Sequence, residues 1–403
     1  MVILVADKFS SSALETIKKL GLEVVYDPEL KEQTLVDKLT ETQAGLLVVR
    51  STKVNAAMLR ASEALQVVVR AGAGVNTIDV GAASKLGIFV TNCPGKNAVA
   101  VAELTLGLIL ALDRRIPDGV AQLRAGKWDK TGFSKARGLK GLTLGLIGFG
   151  NIGREVAERA KGFGLKIVCW SRSLSDAVAE QHGIVRLGSP KEVAKVADIV
   201  SVHVALSPET KHLCDKGFFE ALKPGAFFIN TAREEVCDEA ALREAIEKKG
   251  IRAGLDVFAG EPSSGNCDWS SPLAQLPQVY GTHHIGASTD QAQEAIGNEA
   301  LRIIKTFVER GEVLNCVNLD LDTPATHVLC VRHLNRVGVL AAVLGELQKA
   351  EINVLDMENR IFEGDEAAIA KIRLSKGPAP DVLKSIRGAH QAVISAALLE
   401  AKH

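Results

Sequence analysis

The chain has 403 residues, enough for two or three domains, and its 48 basic and 48 acidic side chains give a formal net charge of zero. This balance gives no overall charge of one sign that would favour binding to nucleic acid or to a membrane surface. The seven cysteines are dispersed, with no CxxC and no ligand-like Cys/His spacing, which indicates reduced thiols, no metal site and a cytoplasmic protein.

Short apolar runs alternate with amphipathic stretches from the start of the chain. They fall at 2–7, 22–26, 46–51, 66–71 and 88–92, and this alternation predicts a parallel sheet with helices on both faces. The first run meets a charge at Asp7 and lacks a basic flank, so it predicts a buried strand and not a signal peptide.

The longest apolar stretch, 98–112, is interrupted by Glu103 and Thr105 and is too short to span a bilayer. A helix that is apolar on most sides is buried in a core or in a subunit interface. We favour the interface, which predicts that this helix forms the seam of a homodimer or homotetramer.

A second α/β unit begins with a glycine-rich turn. The apolar run from 142 leads into Gly148, Phe149, Gly150, Asn151, Ile152 and Gly153, and a helix-like segment follows at once. The glycines of such a turn permit the sharp bend, the approach of a pyrophosphate and close helix packing. Backbone N–H groups at the helix start then face the phosphates. The alternation continues with runs at 166–170, 198–204, 226–232, 252–258 and 279–284, so this unit is predicted to bind a dinucleotide.

A third pattern closes the chain. The segment 311–326 is interpreted as a linker. Strand-like runs at 327–332, 353–361, 367–374 and 392–398, with helix-like stretches at 339–350 and 381–389, give the order βαββαβ of a small ferredoxin-like unit.

Three strand ends of the second unit carry residues suited to redox chemistry at a hydroxyl. They are Arg233, Glu261 and His284, and ligands of parallel sheets bind at this edge. A histidine can take the hydroxyl proton as hydride leaves the same carbon. A carboxylate can orient the imidazole, and an arginine can bind a substrate carboxylate with two parallel bonds. Each residue alone also fits an ordinary surface role, but the three together favour catalysis.

These residues resemble the D-isomer-specific 2-hydroxyacid dehydrogenase family over essentially the whole chain. The likeness rests on 70–75 (RAGAGV), 92–97 (NCPGKN), 101–103, 230–233 (NTAR), 255–258 with Glu261-Pro262, and 284–289. The 23-residue step from Glu261 to His284 fits the family. His284 holds the catalytic position, and His283 stands where proline is usual.

The resemblance implies a fold of two Rossmann-like domains and an additional C-terminal unit. The substrate domain would comprise 1–95 and 285–318, the dinucleotide domain 96–284 and the last unit 325–403. It implies cofactor binding by the glycine turn and Asp256. It also implies substrate binding by Arg50, Ser51, Arg70, Gly74, Val75 and Asn97, with Arg50 and Arg70 as partners for a phosphate.

Two departures from the family pattern bear on specificity. The strand at 166–170 usually precedes an acid that binds the ribose hydroxyls of NAD, but here Ser171 and Arg172 follow it. This pair removes a carboxylate that would repel a 2′-phosphate and adds a cation, so NADP is expected alongside NAD. Arg233 is usually followed by small residues, but here by Glu234 and Glu235. We expect these two acids to face solvent.

The C-terminal unit resembles an ACT domain, a class that binds small effectors. His333, Asn335 and Asn353 are the candidate ligands, with L-serine as the possible effector. The usual NRPG reads NRVG at 335–338, which leaves open a domain that only aids assembly.

The resemblance implies oxidation of 3-phospho-D-glycerate to 3-phosphooxypyruvate, a step of L-serine biosynthesis. A glyoxylate or hydroxypyruvate reductase of the same family is the alternative, and Ser171 and Arg172 fit it. A nucleotide-sensing binding protein on the same fold is a third reading, and an intact set of Arg233, Glu261 and His284 argues against it.

Overall fold

The computed structural model describes residues 1–9, 11–262, 266–320 and 324–401. It divides into two compact units, Met1–Asn318 and Leu319–His403. Among the described residues, no helix combines the length and the apolar character needed to cross a membrane.

The first sheet of the larger unit is parallel, with strand order β2-β1-β3-β4-β5. Its strands and helices are β1 Val2–Val5, α1 Ser11–Lys19, β2 Glu23–Tyr26, α2 Glu32–Thr42, β3 Leu46–Val49, α3 Ala56–Arg60, β4 Val67–Arg70, α4 Val80–Lys85 and β5 Phe89–Thr91. Strands β1, β3 and β4 are buried almost throughout, because helices cover both faces of the sheet.

The second sheet is also parallel, with strand order β12-β11-β10-β9-β6-β7-β8. Before and within it lie α5 Ala98–Arg114, α6 Ile116–Arg124, α7 Lys130–Phe133, β6 Thr143–Ile147, α8 Asn151–Gly162, β7 Lys166–Trp170, α9 Asp176–Gln181, β8 Val185–Arg186, α10 Pro190–Val196, β9 Ile199–Val202, α11 Lys216–Ala221, β10 Phe227–Asn230, a 3-10 turn Glu234–Val236, α12 Glu239–Lys249, β11 Arg252–Leu255 and β12 Val279–Gly281. The prediction of two doubly wound parallel sheets is confirmed.

After the second sheet the chain returns to the first. Helix α13, Asp290–Arg310, buries one stripe at the spacing of a single helix face. The stripe packs with Ile3, Val5 and Val67 of the first sheet and consists of Ile296, Ala300, Ile303, Ile304 and Phe307. The first sheet therefore receives its last covering helix from about 200 residues further along the chain.

Helix α5 is buried largely within its own chain, so packing in the core explains much of its apolar character. Its Ala102, Leu106, Ile109 and Leu112 belong to the core on one face of the second sheet. Val99 remains 45% exposed. The preference for an interface over a core was therefore wrong for most of this surface, and the subunit seam stays a prediction.

The predicted linker begins later than expected. Cys316 pairs with Thr91 of β5 in an isolated antiparallel β-bridge. The Val317 N–H donates to the Val90 carbonyl at 2.9 Å, and the Asn318 side chain accepts from the Val90 N–H at 2.8 Å. These bonds extend the edge of the first sheet. The start of the predicted linker thus belongs to the larger unit, and residues 321–323 lie outside the described ranges.

The smaller unit is a four-stranded antiparallel sheet with strand order β14-β15-β13-β16. It consists of β13 His327–Leu334, α14 Val339–Lys349, β14 Val354–Ile361, β15 Ala367–Leu374, α15 Pro380–Gly388 and β16 Val393–Glu400. Alternate residues of β13 and β15 pack with α14 and α15, as expected for a sheet covered on one face. The predicted βαββαβ order is confirmed.

Candidate active site

The glycine turn has the shape that a dinucleotide needs. Gly148 has φ +106°, and a Cβ there would lie 2.5 Å from the carbonyl oxygen of His203. A Cβ on Gly153 would lie 2.3 Å from the carbonyl oxygen of Gly148. Gly150, at the start of α8, has nothing within 4 Å of its Cβ position, and no side chain caps the helix there. The turn is thus closed on the protein side and open on the other, which fits a pyrophosphate at the helix N-terminus.

The remaining residues of the turn divide between core and opening. Phe149 is buried against His182 and the Arg154 guanidinium. Asn151 begins α8, and a Cβ on Gly95 would lie 2.7 Å from its amide nitrogen. Ile152 is partly buried against the core of this sheet.

Arg172 lies next to an acidic residue that is distant from it in the sequence. Its Nη1 is 4.0 Å from Oε2 of Glu209, and both side chains are mostly exposed. The Ser207 hydroxyl donates to the same carboxylate at 2.7 Å, which fixes it in the turn 205–210. Ser171 is half-buried. The cation expected to attract a 2′-phosphate therefore has a competing anion nearby.

Glu261 and His284, which are 23 residues apart, meet in the structure. Oε1 of Glu261 is hydrogen-bonded to Nδ1 of His284, and the Phe258 N–H donates to the other carboxylate oxygen at 3.0 Å. Because Nδ1 is engaged, Nε2 is the nitrogen available to a substrate. His284 has φ +53°, a left-handed conformation uncommon for a non-glycine residue and concentrated at functional sites.

The contact between Glu261 and His284 shifts the pKa of each residue. The hydrogen bond to Glu261 raises the pKa of His284 against the opposing effect of burial. For Glu261, burial favours the neutral acid, but the bonds from His284 and Phe258 outweigh it and lower the pKa. A protonated imidazole beside a carboxylate is thus the favoured state over a wider pH range than for an isolated histidine.

Arg233 lies at the carboxyl end of β10, where Asn230 shapes the turn. The Asn230 side chain accepts from the Ala232 N–H at 3.0 Å and donates to the Arg233 carbonyl at 2.9 Å. Nη1 of Arg233 donates to the Ala232 carbonyl at 2.6 Å. A Cβ on Gly74 would lie 2.6 Å from Nη2 of Arg233, so this guanidinium reaches the loop that follows β4 of the first sheet.

The expectation that Glu234 and Glu235 face solvent was wrong. Both residues are half-buried in the 3-10 turn. Burial, and then the neighbouring charges of Glu235 and Glu261, raise the pKa of Glu234. The Glu235 carbonyl accepts from the His212 N–H at 2.8 Å, which packs the turn against the protein. Tertiary packing therefore brings Glu234 close enough to Glu261 for their charges to interact.

Asp256 holds the loop that carries His284. Its carboxylate accepts from the Thr282 hydroxyl at 2.6 Å and from the N–H groups of Ile285 and Gly286 at 2.8 Å each, and the residue is 1% exposed. Three of its roughly four acceptor positions are thus used within the protein. Contact with a cofactor, as the sequence predicts, stays a prediction.

Arg50 and Arg70 lie at the ends of the adjacent strands β3 and β4. Neither guanidinium forms a hydrogen bond or an ion pair within 4.0 Å in the part of the chain that the structure describes, and Nε of Arg70 is buried without a partner. Burial, followed by the charges of Arg233 and Arg50, lowers the pKa of Arg70 to about 10. Half-buried arginines that no carboxylate pairs with in the described residues have the chemistry to bind an anion.

The two glycines of the RAGAGV motif make room for two arginines. A Cβ on Gly72 would lie 1.5 Å from Nη1 of Arg70, and a Cβ on Gly74 would clash with Arg233. Gly74 and Val75 are half-buried beside this site, and Ser51 is exposed at the start of its loop. Asn97 precedes α5 without capping it through its side chain. The motif thus shapes space for side chains from two sheets.

One buried residue beside the glycine turn was not singled out from the sequence. His203 follows β9, and its Nε2 is 2.8 Å from the Ser201 hydroxyl. Its Nδ1 is buried and has no hydrogen-bond partner among the residues that the structure describes. Burial lowers the pKa of His203 to about 3, so it is neutral at any physiological pH. A polar residue directly after an apolar strand was the signal available.

In the smaller unit, His333 is engaged internally. It is 2% exposed, its Nδ1 is 2.8 Å from the Leu334 carbonyl and its Nε2 is 3.1 Å from the Asn359 side chain. Asn335 is exposed and donates to the Asp365 carbonyl at 3.1 Å. Asn353 is also exposed. An effector would therefore have to replace the present bonds of His333, and this site stays a prediction.

Comparison with known proteins supplies the family context. A model of the D-isomer specific 2-hydroxyacid dehydrogenase, NAD binding domain, matches residues 106–286. The D-3-phosphoglycerate dehydrogenase of Methanocaldococcus jannaschii is 42% identical over 320 residues, which are 79% of this chain and 59% of that protein. The enzyme of the same name from Mycobacterium bovis is 38% identical over 371 residues, covering 88% of this chain and 68% of that protein.

A solved structure agrees with these similarities. The NAD+-bound 3-phosphoglycerate dehydrogenase of Entamoeba histolytica superposes with a TM-score of 0.66 at 28% identity, covering 80% of this chain and 99% of that one. The chain spans only 59% of the length of the Methanocaldococcus relative and 68% of the Mycobacterium relative.

Proposed function

The chain belongs to the D-isomer-specific 2-hydroxyacid dehydrogenase family, and from this we propose that it oxidises 3-phospho-D-glycerate to 3-phosphooxypyruvate in L-serine biosynthesis. The relatives that carry the name D-3-phosphoglycerate dehydrogenase support the substrate. The observation that carries the proposal is the placement of Arg50 and Arg70 at the ends of adjacent strands, with the Arg233 guanidinium reaching Gly74 of the neighbouring loop. The substrate has a carboxylate and a phosphate, and three guanidinium groups match that charge.

The open glycine turn fits NAD, which when bound accepts the two electrons and the hydrogen that leave the substrate carbon. Gly148, Gly150 and Gly153 would hold its pyrophosphate through backbone N–H groups. Arg172 supports NADP as an additional cofactor, and Glu209 beside it limits that support.

The protein residues then have separable roles. Arg233 binds the substrate carboxylate and aligns the hydroxyl with Nε2 of His284. Nε2 takes the hydroxyl proton, and Glu261 stabilises the resulting imidazolium through Nδ1. In the reverse direction the imidazolium returns the proton. Asn97 and the backbone at Gly74 and Val75 would complete the substrate contacts.

Oxidation requires neutral His284, and Glu261 raises the pKa of that histidine. The rate of oxidation should therefore increase as the pH rises through this elevated pKa and become constant above it. Reduction should show the opposite preference, because it requires the protonated form.

A reductase of glyoxylate or hydroxypyruvate is the second candidate. The half-buried Glu234, which directly follows Arg233 in the chain, favours it. A carboxylate there would oppose a phosphate ester more than a small 2-oxoacid.

A steady-state assay at alkaline pH distinguishes the two candidates. We expect turnover of 3-phospho-D-glycerate with NAD and none with D-glycerate. Turnover of D-glycerate alone, or only of glyoxylate or hydroxypyruvate in reduction, would contradict the proposed substrate. The variant His284→Ala should lose turnover but keep dinucleotide binding. Unimpaired turnover in that variant would remove His284 from its role.

The proposal extends to the domains of the chain, its assembly and its location in the cell. We propose that 1–95 with 285–318 bind the substrate, that 96–284 bind the dinucleotide, and that 325–403 form an ACT domain with L-serine as possible effector. Exposed apolar residues such as Trp128, at 82% exposure, support a homodimer or homotetramer. The unpaired state of all seven cysteines supports a cytoplasmic location.

A further inference from the structure

Asp7 connects the ends of two strands at the anion site. It follows β1 in the bend after Ala6, and β1 pairs in parallel with β3, with Val5 opposite Val48. This register brings Asp7 beside Arg50, and β3 in turn pairs with β4 so that Val49 lies opposite Arg70. Asp7, Arg50 and Arg70 thus share one edge of the sheet, where parallel strands present their ligand-binding residues.

A single carboxylate oxygen of Asp7 holds the start of the loop that follows β3, residues 50–52. Its Oδ2 accepts from the N–H groups of Arg50 at 2.6 Å, Ser51 at 3.1 Å and Thr52 at 3.0 Å. The Thr52 hydroxyl adds a bond to the Ala6 carbonyl at 3.4 Å. Three N–H groups converging on one anion fix a loop more firmly than neutral acceptors do.

The side chain of Arg50 has no such restraint. It forms no hydrogen bond or ion pair in the described part of the chain, so its direction depends on the backbone from which it projects. The loop backbone depends in turn on Asp7. We infer that Asp7 is a positioning residue that holds Arg50 and Ser51 in the geometry that binds the anionic group of the substrate. This inference rests on the proposed function for the identity of the substrate, but not for the existence of the anion site.

Removing the charge of Asp7 distinguishes a positioning role from simple electrostatic repulsion. Asp7 is an anion close to an anion site, and its charge acts on both Arg50 and Arg70. If only this charge mattered, its removal would tighten binding of an anion by reducing repulsion. If positioning dominates, its removal releases the loop and weakens binding. The two roles therefore predict opposite changes.

The test compares wild type, Asp7→Asn and the control Asp79→Asn. Asp79 accepts from the Ala82 N–H at 2.9 Å and caps α4, so it is also a carboxylate bonded to backbone in the same sheet unit, but it contacts none of the arginines. Inorganic phosphate is titrated into each protein by thermal shift, and KM and kcat are measured for 3-phospho-D-glycerate at saturating NAD.

We expect Asp7→Asn to weaken phosphate binding and raise KM, each by about tenfold, since a hydrogen bond to a charged group corresponds to at least that factor. The value of kcat should stay close to wild type, because His284 and Glu261 are untouched. Asp79→Asn should leave KM and phosphate binding unchanged, and because asparagine also caps a helix N-terminus, it should change the melting temperature little. Tighter phosphate binding in Asp7→Asn, or an unchanged KM with only a lower melting temperature, would overturn the inference.

Failure of the proposed substrate gives a different pattern. If the wild type does not oxidise the ester, the phosphate titration decides alone. Weaker binding in Asp7→Asn still supports the positioning role, and equal or tighter binding overturns it. Should Asp7→Asn not fold, Asp7→Glu replaces it, because it keeps the charge but moves the acceptor by one methylene, and the same weakening is expected.

Discussion

Replacement of Gly72 by alanine should separate substrate binding from folding. An ideal Cβ at residue 72 would lie 1.5 Å from Nη1 and 2.5 Å from Cζ of Arg70. Because non-bonded heavy atoms rest about 3.5 Å apart, Nη1 must move by about 2 Å. The clashing atoms are the end of a flexible side chain, so the guanidinium and not the backbone should give way. Gly72 is not among the residues with positive φ, so alanine can adopt its conformation.

The magnitude follows from this displacement. A misplacement of about 1 Å in a substrate-binding group can cost about 100-fold in rate, or about 2.7 kcal/mol. We therefore expect kcat/KM for 3-phospho-D-glycerate to fall about 100-fold, mainly through KM. The free energy of unfolding should be unchanged or should increase by up to about 1 kcal/mol, since alanine reduces the entropy of the unfolded chain.

Steady-state kinetics and urea denaturation of Gly72→Ala measure the two effects. Gly81→Ala is the matched control, because its Cβ would make an ordinary contact of 3.7 Å with Oδ1 of Asp79 in a helix of the same sheet unit. Only its stability should change. If Gly72→Ala keeps KM within about twofold of wild type, the Arg70 guanidinium does not contribute to substrate binding.

Three further tests, with four variants, address the charges of the site and of the fold. Glu261→Gln should move the rise of oxidation to lower pH, because the hydrogen bond and charge that raise the pKa of His284 are lost; a pH profile of kcat/KM identical to wild type would contradict this. Glu209→Gln should lower KM for NADP by about threefold and Arg172→Ala should raise it, with little change for NAD, since exposed pairs are weak; equal effects on both cofactors would refute a role in discrimination. The hydrogen bond from Arg302, followed by those from Asn315 and Lys96, lowers the pKa of the buried Glu299 from 4.5 to about 2. Its contribution to stability should be complete above pH 4.5 and decline as the pH falls towards 2, so urea unfolding of Glu299→Gln and wild type should converge at low pH, and a constant difference would contradict the assignment.

The sequence was most informative where local chain chemistry decides the outcome. The run 66–71 became β4 over Val67–Arg70, and the run 166–170 became β7 with the same bounds. Glycine spacing predicted a turn in which Gly148 has positive φ and Gly153 leaves no room for a side chain. These features depend on burial periodicity and on Cβ sterics, which are readable within a short window.

The errors fall where distant segments meet. Helix α5 was assigned to an interface because its own sequence cannot reveal that the second sheet already covers it. Glu234 was expected in solvent, but the bond between the Glu235 carbonyl and the His212 N–H packs its turn inward. The predicted linker began too early in the chain. The β-bridge between Thr91 and Cys316 joins residues that no local sequence pattern connects.

By itself the sequence determined two parallel α/β units, a βαββαβ unit, the glycine turn and the chemical types of the candidate catalytic residues. Only the tertiary structure decided that Asp7 holds the loop of Arg50. It also decided that Arg70 has no carboxylate partner among the described residues and that Gly74 leaves space for Arg233. The physical reason is that secondary structure follows from a residue's own sterics and periodicity. Partnership between charges depends on strand order and register, which set distances between residues far apart in the chain.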